Sequence, residues 1–331
     1  MTTPIAPVLY RVAFTDYLDL ANEKVGGKVI SASDDFFAEK ENLIKNDPAV
    51  FIVDKYTTNG KWMDGWESRR KRVKGYDWAI IKLGIPGVIK GFDVDTSFFT
   101  GNYPEYCSIE ASIDGKKFFT IAEKQKLQGS SHNFITVNSN KIWNFVRLNS
   151  FPDGGVARLR VYGEVKPDFK KLQAKGSIDL ACVVNGGAVV SCSDMFYGNK
   201  DNLLFPSRAP HMGEGWETKR SRGEHSDWII VKLGAAGTIS KIEIDTNHFK
   251  GNFPDSCKIE ALNAPLSTLA CDFRDNPKFK WIEVLPQVKL KAHNQAQFSK
   301  ELQNLKTKYS HLKITIYPDG GISRLRVFGK V

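Results

Sequence analysis

Residues 213–234 read GEGWETKRSRGEHSDWIIVKLG, and residues 63–84 read MDGWESRRKRVKGYDWAIIKLG. Each places a charged run between two tryptophans and then a short branched apolar run closed by glycine, the pattern of a strand. Trp66, Arg70, Arg72, Asp77 and Trp78 recur 150 positions later as Trp216, Arg220, Arg222, Asp227 and Trp228. At the same offset of 150, DVDTSFFTGNYPEYCSIEA (93–111) matches EIDTNHFKGNFPDSCKIEA (243–261). Upstream, SDDFFAEKENLI (33–44) matches SDMFYGNKDNLL (193–204) at an offset of 160, and downstream FPDGGVARLRVYGEV (151–165) matches YPDGGISRLRVFGKV (317–331) at 166. The first copy therefore carries ten extra residues before its tryptophan motif, and the second sixteen extra before its PDGG. A period this long means duplicated domains and not a solenoid of small repeats. The expected division is 1–165, a linker at 166–176 (KPDFKKLQAKG, polar with Pro and Gly), and 177–331.

Within each copy the apolar residues alternate. Ile242 and Ile244 fall on one face of a strand, with Lys241, Glu243 and Asp245 on the other. Leu159 and Val161 likewise oppose Arg158, Arg160 and Tyr162. PDGG makes a tight turn, because Pro fixes φ and Gly tolerates positive φ. Helical spacing is confined to short pieces such as DDFFAEKENLI and QAQFSKELQNL. The expectation is an all-β chain of two tandem antiparallel β-sandwiches, since a parallel α/β sheet needs a helix between most strands. The alternation also predicts that the charged partners lie outside the core or at its loop end, where the GWE, DT/GN and PDGG motifs could converge.

The 331 residues carry a net charge of +10, which needs an anionic partner. RRKR (69–72) and KRSR (219–222) lie inside ordered motifs and not in a free tail, so a small anion is favoured over nucleic acid. No apolar run nears the roughly 20 residues that span a bilayer, and the first residues lack a signal peptide's pattern. A cytoplasmic protein with no membrane partner is expected. Cys107, Cys182, Cys192, Cys257 and Cys271 are odd in number and show no CxxC spacing, against a disulfide framework. The six histidines show no HxH or HExxH spacing.

DGWESRR, YDWAIIKLG, DVDTSFFTGN, FPDGGVARLRVYG and their second copies resemble the allantoicase family, from about residue 26 to the C-terminus and including the duplication. The resemblance implies two jelly-roll domains like galactose-binding modules. It also implies hydrolysis of allantoate to ureidoglycolate and urea in purine degradation. Whether a divalent metal takes part, and whether the chain forms a homo-oligomer, are left open.

Allantoate is a carboxylate whose α-carbon bears two ureido groups. Releasing one as urea breaks a C–N bond at an aminal-like carbon, which calls for a general acid, and the water that follows calls for a base. A guanidinium fork suits the carboxylate. For this chemistry the catalytic candidates are Glu217, Asp245 and His248, with Glu67 and Asp95 in the first copy, where Phe98 replaces the histidine. The binding candidates are Arg220, Arg222, Asn252, Asp319 and Arg324, and their equivalents Arg70, Arg72, Asn102, Asp153 and Arg158. The fuller GWETKR motif and His248 place the larger share of chemistry in the second copy. Plainer roles compete: the tryptophans as core, Asp153 and Asp319 as turn caps, the strand arginines as exposed ion pairs. A non-catalytic tandem ligand- or sugar-binding sandwich is the alternative reading.

Overall fold

The structure is a computed structural model that describes residues 12–268, 273 and 278–331. Cys271 lies outside the described residues. The chain divides between Lys166 and Pro167 into two compact units, and the stretch after the division includes a short helix, Phe169–Gln173, capped by the Asp168 side chain.

In the first unit the organising element is one 19-residue strand, Asp77–Asp95. Its first half pairs with Ile142–Phe151 and Lys28–Ala32, and its second half with Arg158–Val165 and His132–Thr136. The strand therefore changes neighbours midway, in the Gly84–Gly87 stretch. That is how one strand serves two layers and turns the corner of a sandwich. Tyr106–Ser112 and Phe119–Lys126 extend the antiparallel sheet beyond Ile142–Phe151.

The second unit repeats the plan around Asp227–Asp245. Tyr309–Tyr317 and Ala188–Cys192 pair with its first half, Arg324–Lys330 and Gln295–Phe298 with its second. The chain is thus all-β, in two jelly-roll sandwiches.

Hydrophobic burial follows the alternation. Leu159, Val161, Ile242 and Ile244 are fully buried, as are Trp66 and Trp216. Cys107 and Cys257 are buried free thiols, pushed up to about 12 by burial, which makes them packing residues.

Two expectations are corrected. QAQFSKELQNL is not helical: Gln295–Phe298 is a strand on Asp245's neighbours, so sheet pairing overrides a helical spacing only a few residues long. The polar face of the arginine strand is not outside either. Arg158 and Arg324 are each 1% exposed, because residues 45–49 and 205–209 cross over them.

Candidate active site

Three motifs meet at one end of each sandwich. Trp66–Glu67 pairs with Gly155–Val156 of the PDGG turn, setting Glu67 opposite Gly155, while Ala38 bridges Glu67 from its other side. Trp216–Glu217 is held in the same way by Gly321–Ile322 and Gly198. The turn needs its glycines: Gly154 and Gly320 have φ of 130°. A Cβ on Gly155 or Gly321 would sit 1.9 Å from the buried ring of Phe99 or Phe249. Behind the turn, the Asn102 and Asn252 carbonyls accept the Gly155 and Gly321 N–H groups. The GN loop is thereby locked beside the GWE strand.

This brings each glutamate to its asparagine. The Asn102 amide donates to Glu67 Oε1 at 2.7 Å, and the Asn252 amide to Glu217 Oε1 at 2.5 Å. In the first copy this pair lies in a cavity of about 530 Å³, within the usual range for small-molecule sites, roughly 300–1,000 Å³. Phe51, Met63 and Phe98 give it apolar walls, and Lys61 enters from the side. Burial among these groups pushes the Glu67 carboxyl above the ordinary carboxylate range, and the Asn102 amide offsets part of the rise.

In the second copy the wall is histidine. Phe98 and His248 share the left-handed conformation, at φ 69° and 71°, as do Ser130 and His293 at 47° and 49°. Such residues are uncommon outside glycine and cluster at functional sites. The Phe98 N–H donates to Ser130 Oγ at 3.3 Å, and the His248 N–H to His293 Nδ1 at 2.8 Å. His293 therefore carries its proton on Nε2 when neutral. His248 Nε2 faces the Ala209 carbonyl at 3.1 Å and donates to it.

The remaining candidates are spread around this end and perform different tasks. Asp153 Oδ2 accepts the Lys71 N–H, and Asp319 Oδ2 accepts the Ser221 N–H, each at 2.7 Å, so both pin the basic loop to the PDGG turn. Within RRKR, Arg69 bonds Asp34 and Lys71 reaches buried Asp77 at 2.8 Å. Arg70 and Arg72 stay exposed, as do Arg220 and Arg222, and Arg70 and Arg72 do not line the cavity.

Arg158 and Arg324 do not present guanidinium groups to a ligand. Arg158 donates to the Asp47, Asp64 and Ala157 carbonyls and pairs with Asp64 at 2.8 Å. Arg324 donates to the carbonyls of Ser207, Glu214 and Ser323. Both brace the segment that crosses the sheet.

Asp245 is 1% exposed and accepts two bonds from Arg208, at 2.8 and 3.3 Å, and the Asn247 N–H at 2.9 Å. Asp95, also buried, accepts the Ser97 N–H at 2.8 Å. Asp95 is not among the residues that line the Glu67 cavity. Arg208 and Lys61 are the charged residues that sequence reasoning missed. Both fall in the segment where the copies differ in length, so the repeat could not point to them.

Among the described residues no cluster of three or more His, Cys, Asp or Glu side chains is placed to hold a metal ion. The donors at the mouths are already engaged by Asn252, Ala209 and the His248 amide. They do not form a ligand set. Nor, among the described residues, is any helix long and apolar enough to cross a membrane.

The allantoicase repeat family matches residues 18–166 and 178–331. A protein of Photobacterium profundum described as a probable allantoicase is 47% identical over 323 residues, covering 96% of this chain and 97% of that protein. A probable allantoicase of Pseudomonas syringae pv. syringae is 43% identical over 331 residues, covering 98% of this chain and 99% of that one. The crystal structure of Saccharomyces cerevisiae allantoicase superposes with a TM-score of 0.80 at 37% identity, covering 94% of this chain and 92% of that one.

Proposed function

The chain belongs to the allantoicase family, and from that premise we propose that its chemistry is centred on the Glu–Asn pair, with Glu67 as the acid that releases urea. The protein is a hydrolase that converts allantoate and water to ureidoglycolate and urea. The observation that carries the site reading is the position of Glu67: a carboxyl held above its ordinary range, in a cavity, with one oxygen fixed by Asn102.

That arrangement suits a proton donor. Oε1 is occupied as an acceptor, so the proton resides on Oε2. The remaining ureido nitrogen of allantoate pushes out the leaving nitrogen as Glu67 protonates it, and urea departs. The resulting carboxylate then takes a proton from the water that attacks the imine-like carbon. Glu67 is restored, and one water has been consumed. A single carboxyl thus serves first as acid and then as base.

The sequence reading weighted the second copy, whereas the cavity and the raised carboxyl favour the first. Glu67→Gln keeps the amide contact and removes the proton. Loss of about 10² or more in kcat is expected, with Glu217→Gln retaining the larger share of urea release and both variants folded by circular dichroism. The reverse ranking would place the acid in the second copy.

A further inference from the structure

We propose that Lys61 anchors the substrate carboxylate in the Glu67 cavity, a role that rests on the reading of that cavity as the site of urea release. A guanidinium from the basic loop was the sequence-based expectation for this task. Arg70 and Arg72 do not line the cavity; Lys61 does, and it is the one cationic side chain among its lining residues.

The surroundings of Lys61 keep its charge available. It belongs to a two-strand hairpin, Tyr56–Thr57 with Gly60–Lys61, in which Tyr56 is its cross-strand neighbour. Its ammonium lies 4.9 Å from the Tyr56 ring centre and 5.0 Å from that of Phe51. Phe51 in turn stacks on Phe98, with centroids 5.7 Å apart and planes 24° apart. Ring faces attract an ammonium and fix its place, but they carry no formal charge to cancel it. Among the described residues no carboxylate forms an ion pair with Lys61. The rings beside it are themselves partly exposed, Phe51 at 45% and Tyr56 at 66%, so the ammonium stays open to an incoming carboxylate.

The geometry also divides the substrate sensibly. Glu67 must meet the leaving nitrogen in its protonated form, so a free carboxylate of the substrate belongs away from it, toward Lys61. The apolar faces of Phe51 and Phe98 leave the α-carbon between the two polar ends. The ligand class is a small carboxylate bearing nitrogen substituents on its α-carbon. The hairpin lies in the segment that is longer in the first copy, so this anchor distinguishes that mouth from its duplicate.

Steady-state kinetics on the full-length enzyme test the assignment. Lys61→Met should raise KM for allantoate about tenfold or more, the worth of a charge-assisted contact, with a much smaller change in kcat. Lys61→Arg should restore most of the loss, which a purely structural role would not require. Glu67→Gln is measured alongside. If it abolishes urea release while Lys61→Met leaves KM unchanged, the carboxylate anchor is overturned and the site stands. If Glu67→Gln keeps full activity, the site itself is overturned, and the anchor with it.

Discussion

Glu67 and Glu217 occupy one position on a duplicated scaffold, each braced by a glycine turn and bonded to an asparagine amide. Around Glu67 the wall is Phe51, Phe98 and Lys61; at the other mouth His248 and His293 take the places of Phe98 and Ser130. The backbone is nearly unchanged, including the left-handed residues. Duplication thus preserved the frame that positions the carboxyl and let the wall diverge. A site's chemistry depends on its wall as well as its motif: the motif favours the second copy, the wall the first.

The same contrast runs through the braces beneath the mouths, and there it predicts the largest effect on stability. Arg158 faces buried Asp64 at 2.8 Å, whereas Arg324 faces Glu214 at 3.8 Å and relies on three carbonyls. Burial pushes Arg324 down to about 10. Arg158→Met leaves buried Asp64 with only the Val50 N–H at 3.0 Å and Lys45 at 3.9 Å, and should cost about 3 kcal/mol. Arg324→Met removes three carbonyl bonds and a longer contact to Glu214, so it should cost less. Urea unfolding of both variants checks the order, and equal losses would show that the Asp64 pair adds nothing beyond the carbonyl bonds.

A smaller effect separates Asp245 from Asp95. Asp245 has Arg208, while position 48, its counterpart at the 160-residue offset, is proline. Asp95 is nonetheless buried with the Ser97 N–H as its side-chain partner. The fold therefore tolerates this aspartate without a guanidinium, and Arg208 is more than half exposed. Arg208→Leu should cost only about 1 kcal/mol after solvent screening. A loss of several kcal/mol in urea unfolding would mean that the second copy has come to depend on the pair.

How much of this could be read from the chain follows from which signals are periodic. The duplication and the two sandwiches were legible, because alternation and repeated motifs report sheet faces and turns directly; the meeting of GWE, GN and PDGG needed the pairings of Glu67 with Gly155 and Glu217 with Gly321. The arginines were misplaced because alternation says which face a residue takes, not whether a loop covers it. Arg158 was read as exposed, yet Asp47 and Asp64 come from more than 90 residues away to cover it. Lys61 and Arg208 were invisible for a related reason. They lie in the unmatched segment, and their meaning depends on what that segment packs against.

The smallest expected effect concerns how each copy satisfies a buried acid on the long strand. Asp93 is 4% exposed and binds His132 Nδ1 at 2.7 Å. Its counterpart Glu243 accepts amide bonds from Gln295 at 2.7 Å and Gln297 at 3.0 Å. The first pairing has a histidine as its partner, the second only neutral amides. The hydrogen bond to Asp93 raises the His132 pKa, burial offsets some of this, Asp93 and Asp95 add attraction, and Arg160 opposes it. A histidine raised on folding contributes stability that is complete below its unfolded pKa, about 6.5, and lost as pH climbs through the higher folded value. The ring is more than half exposed and stacks on Phe134, so the contribution is a few tenths of a kcal/mol. His132→Gln copies the second unit's solution. It should lower the urea midpoint slightly below about pH 6.5 and so flatten the decline above it. If the decline persists undiminished in His132→Gln, the titrating group lies elsewhere and the two copies do not differ in pH sensitivity at this position.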